Sequence, residues 1–145
     1  MNLDINAYNV GDRPVVVRPN VEFYNIIGEK GVREMVSKHY NLLRESELKY
    51  MFPIDDAAFD EAKRNSADFF IQILGGHEYY NLRRGKPMLV NRHNPFTITP
   101  EGRIIWLQCF RQVLTEMEAP EYLKESFWNY LNVFSSWMMN TESEK

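Results

Sequence analysis

The chain of 145 residues has the length of one domain, and its 44% apolar and 26% charged residues exclude a disordered tail. A net charge of −3 excludes a globally basic nucleic-acid surface. The one cysteine, Cys109, excludes an internal disulfide and a cysteine-only metal site, and suits a reducing cytoplasm.

Residues 1–19 read as an irregular N-terminal arm, punctuated by Pro14 and Pro19. Its charges (Asp4, Asp12, Arg13, Arg18) fit neither a signal peptide nor a membrane anchor. Val15–Val17 are expected to pack on the body or to form a short strand. The globular domain is expected over residues 20–145. Asn20 is placed to cap a short helix through Ile27, ended by Gly28. From Gly31 the apolar residues Val32, Met35, Val36, Tyr40 and Leu43 follow the spacing of one helix face, which turns His39 and Tyr40 inward.

Leu48–Phe52 reads as a turn, and Pro53 forces Phe52 out of helical geometry. Asp55 or Asp56 caps the next helix, whose stripe is Phe59, Ala62, Ser66, Phe69, Phe70 and Ile73, stopped by Gly75–Gly76. The stripe is bulky at both ends and small in the middle. Either a neighbouring helix packs closely against Ala62 and Ser66, or a ligand occupies the gap.

His77–Gly85 is expected to be a polar loop. Pro87 then starts a short helix that carries Leu89 and His93 on one face and ends at Asn94–Pro95. Phe96 and Ile98 alternate in an extended piece. Thr99–Pro100 is a capping hydroxyl followed by a first-turn proline. It opens a helix with Trp106, Phe110, Val113, Leu114 and Met117 on its buried face. Glu118–Pro120 breaks that helix. The last helix shows Leu123, Phe127, Tyr130, Leu131, Phe134 and Met138, then a polar tail over 140–145. No segment shows strand alternation with hairpin turns. The class is all-α, with about six helices.

No phosphate loop, nucleophile elbow or zinc-protease helix is present. Asp55–Asp56 reads as helix capping rather than an acid/base pair, and Cys109 as a small buried hydrophobe. His93 carries more. A lone histidine is more often structural, but here a gap for a flat ligand, the inward Tyr40 and Trp106, and the cations Arg83, Arg84 and Arg92 accompany it. One histidine for iron, apolar walls around a flat ring and basic groups for carboxylates describe a haem site.

These residues also carry a resemblance. Gly75-Gly76, Tyr79/Tyr80, Gly85-x-Pro87-x-Leu89-x-x-Arg92-His93-x-Pro95-Phe96-x-Ile98, Trp106-Leu107-x-Cys109 and Met51-Phe52-Pro53 stand in the order found in truncated haemoglobins. The chain resembles the second (O-type) group of that family over roughly residues 23–140. The resemblance implies a two-over-two helical sandwich that binds haem b. It makes His93 the proximal iron ligand, Arg92 a propionate contact, and Tyr40 and Trp106 the distal residues that stabilise bound ligand. It places Phe52 over the haem at the bend and Ala62 where ordinary globins carry a distal histidine, with Ser66 one turn on. Phe69 and Phe70 would wall the pocket, and Leu89, Phe96, Ile98, Phe134 and Met138 complete the expected contacts.

The function implied is reversible binding of O₂, and of NO, CO or similar ligands, at a five-coordinate iron, with slow O₂ release. The alternatives are a haem enzyme that turns over NO or peroxide with a separate reductase, and a globin-fold sensor or interaction module. No nucleic-acid or membrane partner is implied, and the expected location is the cytoplasm. Two features depart from the family pattern. The N-terminal arm has no counterpart in it. His39 stands where an aromatic or apolar residue is usual, and reads as hydrogen-bonded behind the pocket rather than as an iron ligand. His77 reads as an exposed loop residue.

Overall fold

The computed structural model describes residues 1–143; the last two residues of the expected polar tail lie outside the described residues. Six α-helices and one 3₁₀ turn account for the regular structure, and no strand occurs among the described residues. The helices are α1 (Glu22–Arg44), α2 (Asp56–Ile73), α3 (Tyr79–Arg84), α4 (Leu89–His93), α5 (Pro100–Glu116) and α6 (Glu121–Met138), with the 3₁₀ turn at Lys49–Met51. α1 and α2 form one packed pair and α5 and α6 the other. α1 lies across α5 and α6, so the two pairs make a two-over-two sandwich. No described helix is long and apolar enough to cross a membrane.

Local chemistry explains the boundaries. Gly28 interrupts α1 with φ 69° and ψ 178°, a conformation that costs glycine little and other residues much. The expected break therefore appears as a kink between two helical pieces. Phe52 is extended ahead of Pro53, at φ −117° and ψ 147°. The Asp55 carboxylate accepts from the Ala58 N–H at 2.9 Å, and the Thr99 hydroxyl from the Gly102 N–H at 3.1 Å. Each such cap stabilises its helix by about 1 kcal/mol. At Gly76 any Cβ would lie 2.7 Å from the side chains of Ile71 and Tyr24, so the α2 exit needs the missing side chain.

Three expectations are corrected. The stretch read as a polar loop, His77–Gly85, contains α3. Tyr80 is buried, the guanidinium groups of Arg33 and Arg83 both lie over the Tyr79 ring, and the Gln72 carboxamide bonds Asn81 twice. These contacts come from α1 and α2, and local polarity does not reveal them. The short helix begins at Leu89 rather than Pro87, because Met88 takes left-handed geometry (φ 42°). Val15–Val17 neither form a strand nor pack inward; Val15 is 82% exposed.

The core between the helix pairs is aromatic. Phe70 meets Phe110, Phe127 and Phe134 edge-on at 5.6–6.1 Å, and Phe23 meets Phe127 at 5.5 Å. Such pairs add about 0.5–1.5 kcal/mol each beyond area burial. The arm is docked on α5 and α6. The Trp128 indole donates to Asp4 O, the Trp137 indole to Pro14 O, and the Arg103 guanidinium to Asn6 O.

Candidate haem cavity

A cavity of about 420 Å³ opens between the two helix pairs. One wall is Tyr40 from α1, Ala62 from α2, and Met51, Phe52 and Pro53 from the bend. The opposite wall is His93, Phe96 and Ile98, with Phe134 and Met138 from α6; Trp106 closes the α5 side. The helix signals in the sequence explain how these side chains converge. The proline-forced bend turns Phe52 over the cavity and stacks it edge-on against Tyr40 at 5.3 Å. The short α4 ends at His93 and presents it across from Tyr40.

His93 is oriented by its own helix. Its Nδ1–H donates to Leu89 O at 2.7 Å. That bond fixes the tautomer and leaves Nε2 as a lone pair without a protein donor among the described residues. Burial lowers its pKa, opposed by the Leu89 bond, so the neutral form that can ligate a metal is favoured. No cluster of three or more His, Cys, Asp or Glu that could hold a bare metal ion exists among the described residues. A single neutral imidazole on an apolar cavity is the donor set of haem, in which the macrocycle supplies the other ligands. The residues present therefore fit the group.

The cavity also carries two polar aromatics, Tyr40 and Trp106. Burial pushes the Tyr40 phenol pKa up, and a side-chain hydrogen bond from Ser66 offsets part of that. The three tryptophans differ in how their indole N–H groups are used. Trp128 and Trp137 donate to arm carbonyls at 2.9 Å, whereas Trp106 Nε1 has no protein acceptor among the described residues. Trp106 is also the one of the three on the cavity. Ala62 lacks any donor.

Other expected site residues stand elsewhere. Ser66 is off the cavity lining and reaches it through Tyr40. Phe69 and Phe70 lie one layer behind, both against Phe134, with Phe69 stacked on it at 5.5 Å. Leu89 contributes its carbonyl to His93 rather than a wall. Arg92 is engaged by the protein: Nε donates to Pro87 O at 2.7 Å, and one terminal nitrogen to Arg84 O at 2.8 Å and Lys86 O at 3.3 Å. Its remaining terminal nitrogen is left for a carboxylate. Cavity residues absent from the sequence reading are Leu48, Tyr50, Thr97, Gly102, Arg103 and Ser135. Gly102 and Arg103 sit one turn before Trp106, and Ser135 follows Phe134, so helical spacing from the recognised positions was the available signal.

His39 is buried behind the cavity, 1% exposed. Its Nε2–H donates to Trp106 O at 3.0 Å. Burial pushes its pKa down to about 3, against the smaller opposing effect of that bond, so the ring is neutral. His77 is exposed, its ring edge-on to Tyr79.

Comparison with known proteins adds an independent line. The profile of the family described as bacterial-like globin matches residues 22–140. The group 2 truncated haemoglobin YjbI of Bacillus subtilis is 32% identical over 123 residues, which span 83% of this chain and 91% of that protein. The crystal structure of phosphate-bound Hell's gate globin IV superposes with a TM-score of 0.88 at 32% identity, over 96% of this chain and 87% of that one. The truncated oxygen-avid haemoglobin from Bacillus subtilis superposes with a TM-score of 0.73 at 32% identity, over 81% of this chain and 98% of that one.

Proposed function

This chain belongs to the bacterial-like globins, with the group 2 truncated haemoglobins as its relatives, and from that premise we propose that it binds O₂ reversibly and releases it slowly. Membership makes it a haem-binding globin for small gaseous ligands such as O₂. When bound, haem would supply the iron to which a diatomic ligand bonds and from which that ligand draws partial negative charge. The protein supplies the rest. His93 Nε2, oriented by the Leu89 carbonyl, would hold the iron. Arg92, already anchored to the loop that precedes α4, offers its spare N–H groups to a propionate. Phe52, Phe96, Ile98, Phe134 and Met138 line the cavity and would exclude water from the bound group.

The observation that carries the reading is the unspent Trp106 N–H on the same cavity as Tyr40 and His93. Two donors facing one ligand with partial negative charge hold it by about 1.5–3 kcal/mol each, or roughly tenfold to a hundredfold in release rate. Slow release suits scavenging or sensing better than bulk transport. The relative described as oxygen-avid supports the same direction.

The test is stopped-flow displacement of O₂ from the ferrous protein, with Tyr40→Phe, Trp106→Phe and the double variant. Each single variant is expected to release O₂ about tenfold faster or more. The effects are not expected to add, because both donors share one ligand and Ser66 stands beside Tyr40. CO, which carries less charge on its outer atom, responds more weakly. Unchanged release in all three variants would overturn the reading.

A further inference from the structure

His39 is the one buried histidine that takes no part in the site described so far. It lies on α1 next to Tyr40 and reaches across to α5. Three contacts hold it: the Nε2–H bond to Trp106 O at 3.0 Å, a tilted ring contact with Phe110 at 3.9 Å between centroids and 34°, and an edge-on contact with the Trp106 indole at 4.9 Å and 88°. Its ring also meets Tyr40 at 6.2 Å and 72°. One side chain thus touches both distal donors without lining the cavity.

Physical chemistry asks why an imidazole stands there. The surroundings are aromatic, and a phenyl ring would fill the same volume without any desolvation cost. A buried N–H is tolerated only where it is bonded, and here its bond goes to the backbone of the very residue whose indole faces the cavity. A helix carbonyl that already serves its own helix accepts this additional bond without losing the first, because oxygen has two lone pairs. The result is a fixed distance between α1 at residue 39 and α5 at residue 106. The Tyr40 phenol and the Trp106 indole are carried by the same two backbones.

We infer that His39 is a positioning residue, which locks the Trp106 indole and the Tyr40 phenol into one arrangement and so tunes how firmly the cavity holds its ligand. The inference rests on the proposed distal role of Trp106. It requires that the ring stay neutral with the proton on Nε2, and that loss of the bond alone, with ring volume kept, loosen the indole.

The experiment uses the full-length haem-loaded protein as its ferrous CO complex. The infrared C–O stretch reports the N–H and O–H groups that face the ligand, independently of any turnover. His39→Phe is expected to broaden or split the band and to speed O₂ release by about fivefold. His39→Gln, whose carboxamide N–H can reach the same carbonyl, is expected to restore a single band near the original position. A wild-type band and wild-type O₂ release in His39→Phe would overturn the inference. Trp106→Phe separates the two ideas: a band unmoved by that variant defeats the proposed function, whereas a band moved by it and not by His39→Phe defeats the inference alone. If His39→Phe does not fold, long-range ¹H–¹⁵N spectra of the unaltered CO complex decide. A neutral Nε2–H ring is the expected result, and a proton on Nδ1 or a charged ring overturns the inference.

Discussion

His93 spends one ring nitrogen on the protein and keeps the other. The bond from Nδ1 to Leu89 O holds the imidazole plane, and burial keeps the ring neutral. His93→Ala removes the lone pair from the cavity without disturbing the core, because the histidine is only partly buried among cavity residues. The variant is expected to lose tight haem binding, and the measurement is haem transfer to an apoglobin acceptor with the ferrous spectrum recorded alongside. An unchanged histidine-type ferrous spectrum would remove His93 as the ligand. At this scale the sequence was informative wherever a residue's role depends on local geometry. His93 ends a proline-delimited helix, Phe52 precedes a proline, and Ala62 is small on a bulky stripe. Arg103 and Ser135 were legible only through their helical spacing from Trp106 and Phe134. They reach the cavity because α5 and α6 cross, which no local pattern encodes. Arg92 shows the converse: its motif was visible, but not that three backbone carbonyls would engage it.

Between helices, the least expected arrangement is the one that builds α3. Asp68 on α2 is 1% exposed and accepts from Arg33 of α1 at 3.0 Å and from Arg83 of α3 at 2.7 Å. Both arginines also lie over the Tyr79 ring, at 5.5 and 5.1 Å. A six-residue helix is too short to persist alone, so this anchor and the burial of Tyr80 sustain it. The sequence showed Asp68 only as a polar residue in an amphipathic helix, since its partners are 35 and 15 residues away. Asp68→Asn keeps the shape and removes the charge. The arginines are partly exposed and regain water, so the expected loss is moderate, about 2 kcal/mol. Hydrogen exchange should rise first in residues 79–84, ahead of α5 and α6. Uniform exchange across all helices would show that Asp68 supports the whole fold and not α3 in particular. The consequence reaches the site, because Arg84 O at the end of α3 accepts from Arg92, the neighbour of His93.

On the scale of the whole molecule, the all-α class and the long helices followed from apolar stripes and caps, which are strong local signals, whereas the two-over-two arrangement came from the family resemblance and α3 was missed. The docking of the arm was not legible, because its attachment uses backbone carbonyls that carry no sequence signature. Leu3 is buried, and Asp4 O accepts from both the Trp128 indole and the Asn132 carboxamide. Asn6 bonds at both ends of its peptide: its N–H donates to Asn132 Oδ1 and its carbonyl accepts from the buried Arg103. Arg103 in turn lines the cavity and ties to Ser135 and Asn132. The arm therefore braces the α5–α6 wall from outside, while α4 and His93 make none of these bonds. Removing residues 1–12 exposes the Leu3 site and strips partners from Trp128, Asn132 and Arg103. Burial of one leucine contributes about 2 kcal/mol, and each stripped donor adds about 1 kcal/mol once water partly replaces the partner. A loss of about 3–5 kcal/mol is expected in denaturant unfolding of the haem-free chain. The histidine-type ferrous spectrum of the truncated, haem-loaded protein should remain, since none of the arm's bonds goes to α4 or His93. An unchanged unfolding midpoint would mean that the arm rests on the body without bracing it. A lost histidine spectrum would mean that the α5–α6 wall, and not α4 alone, holds His93 in place.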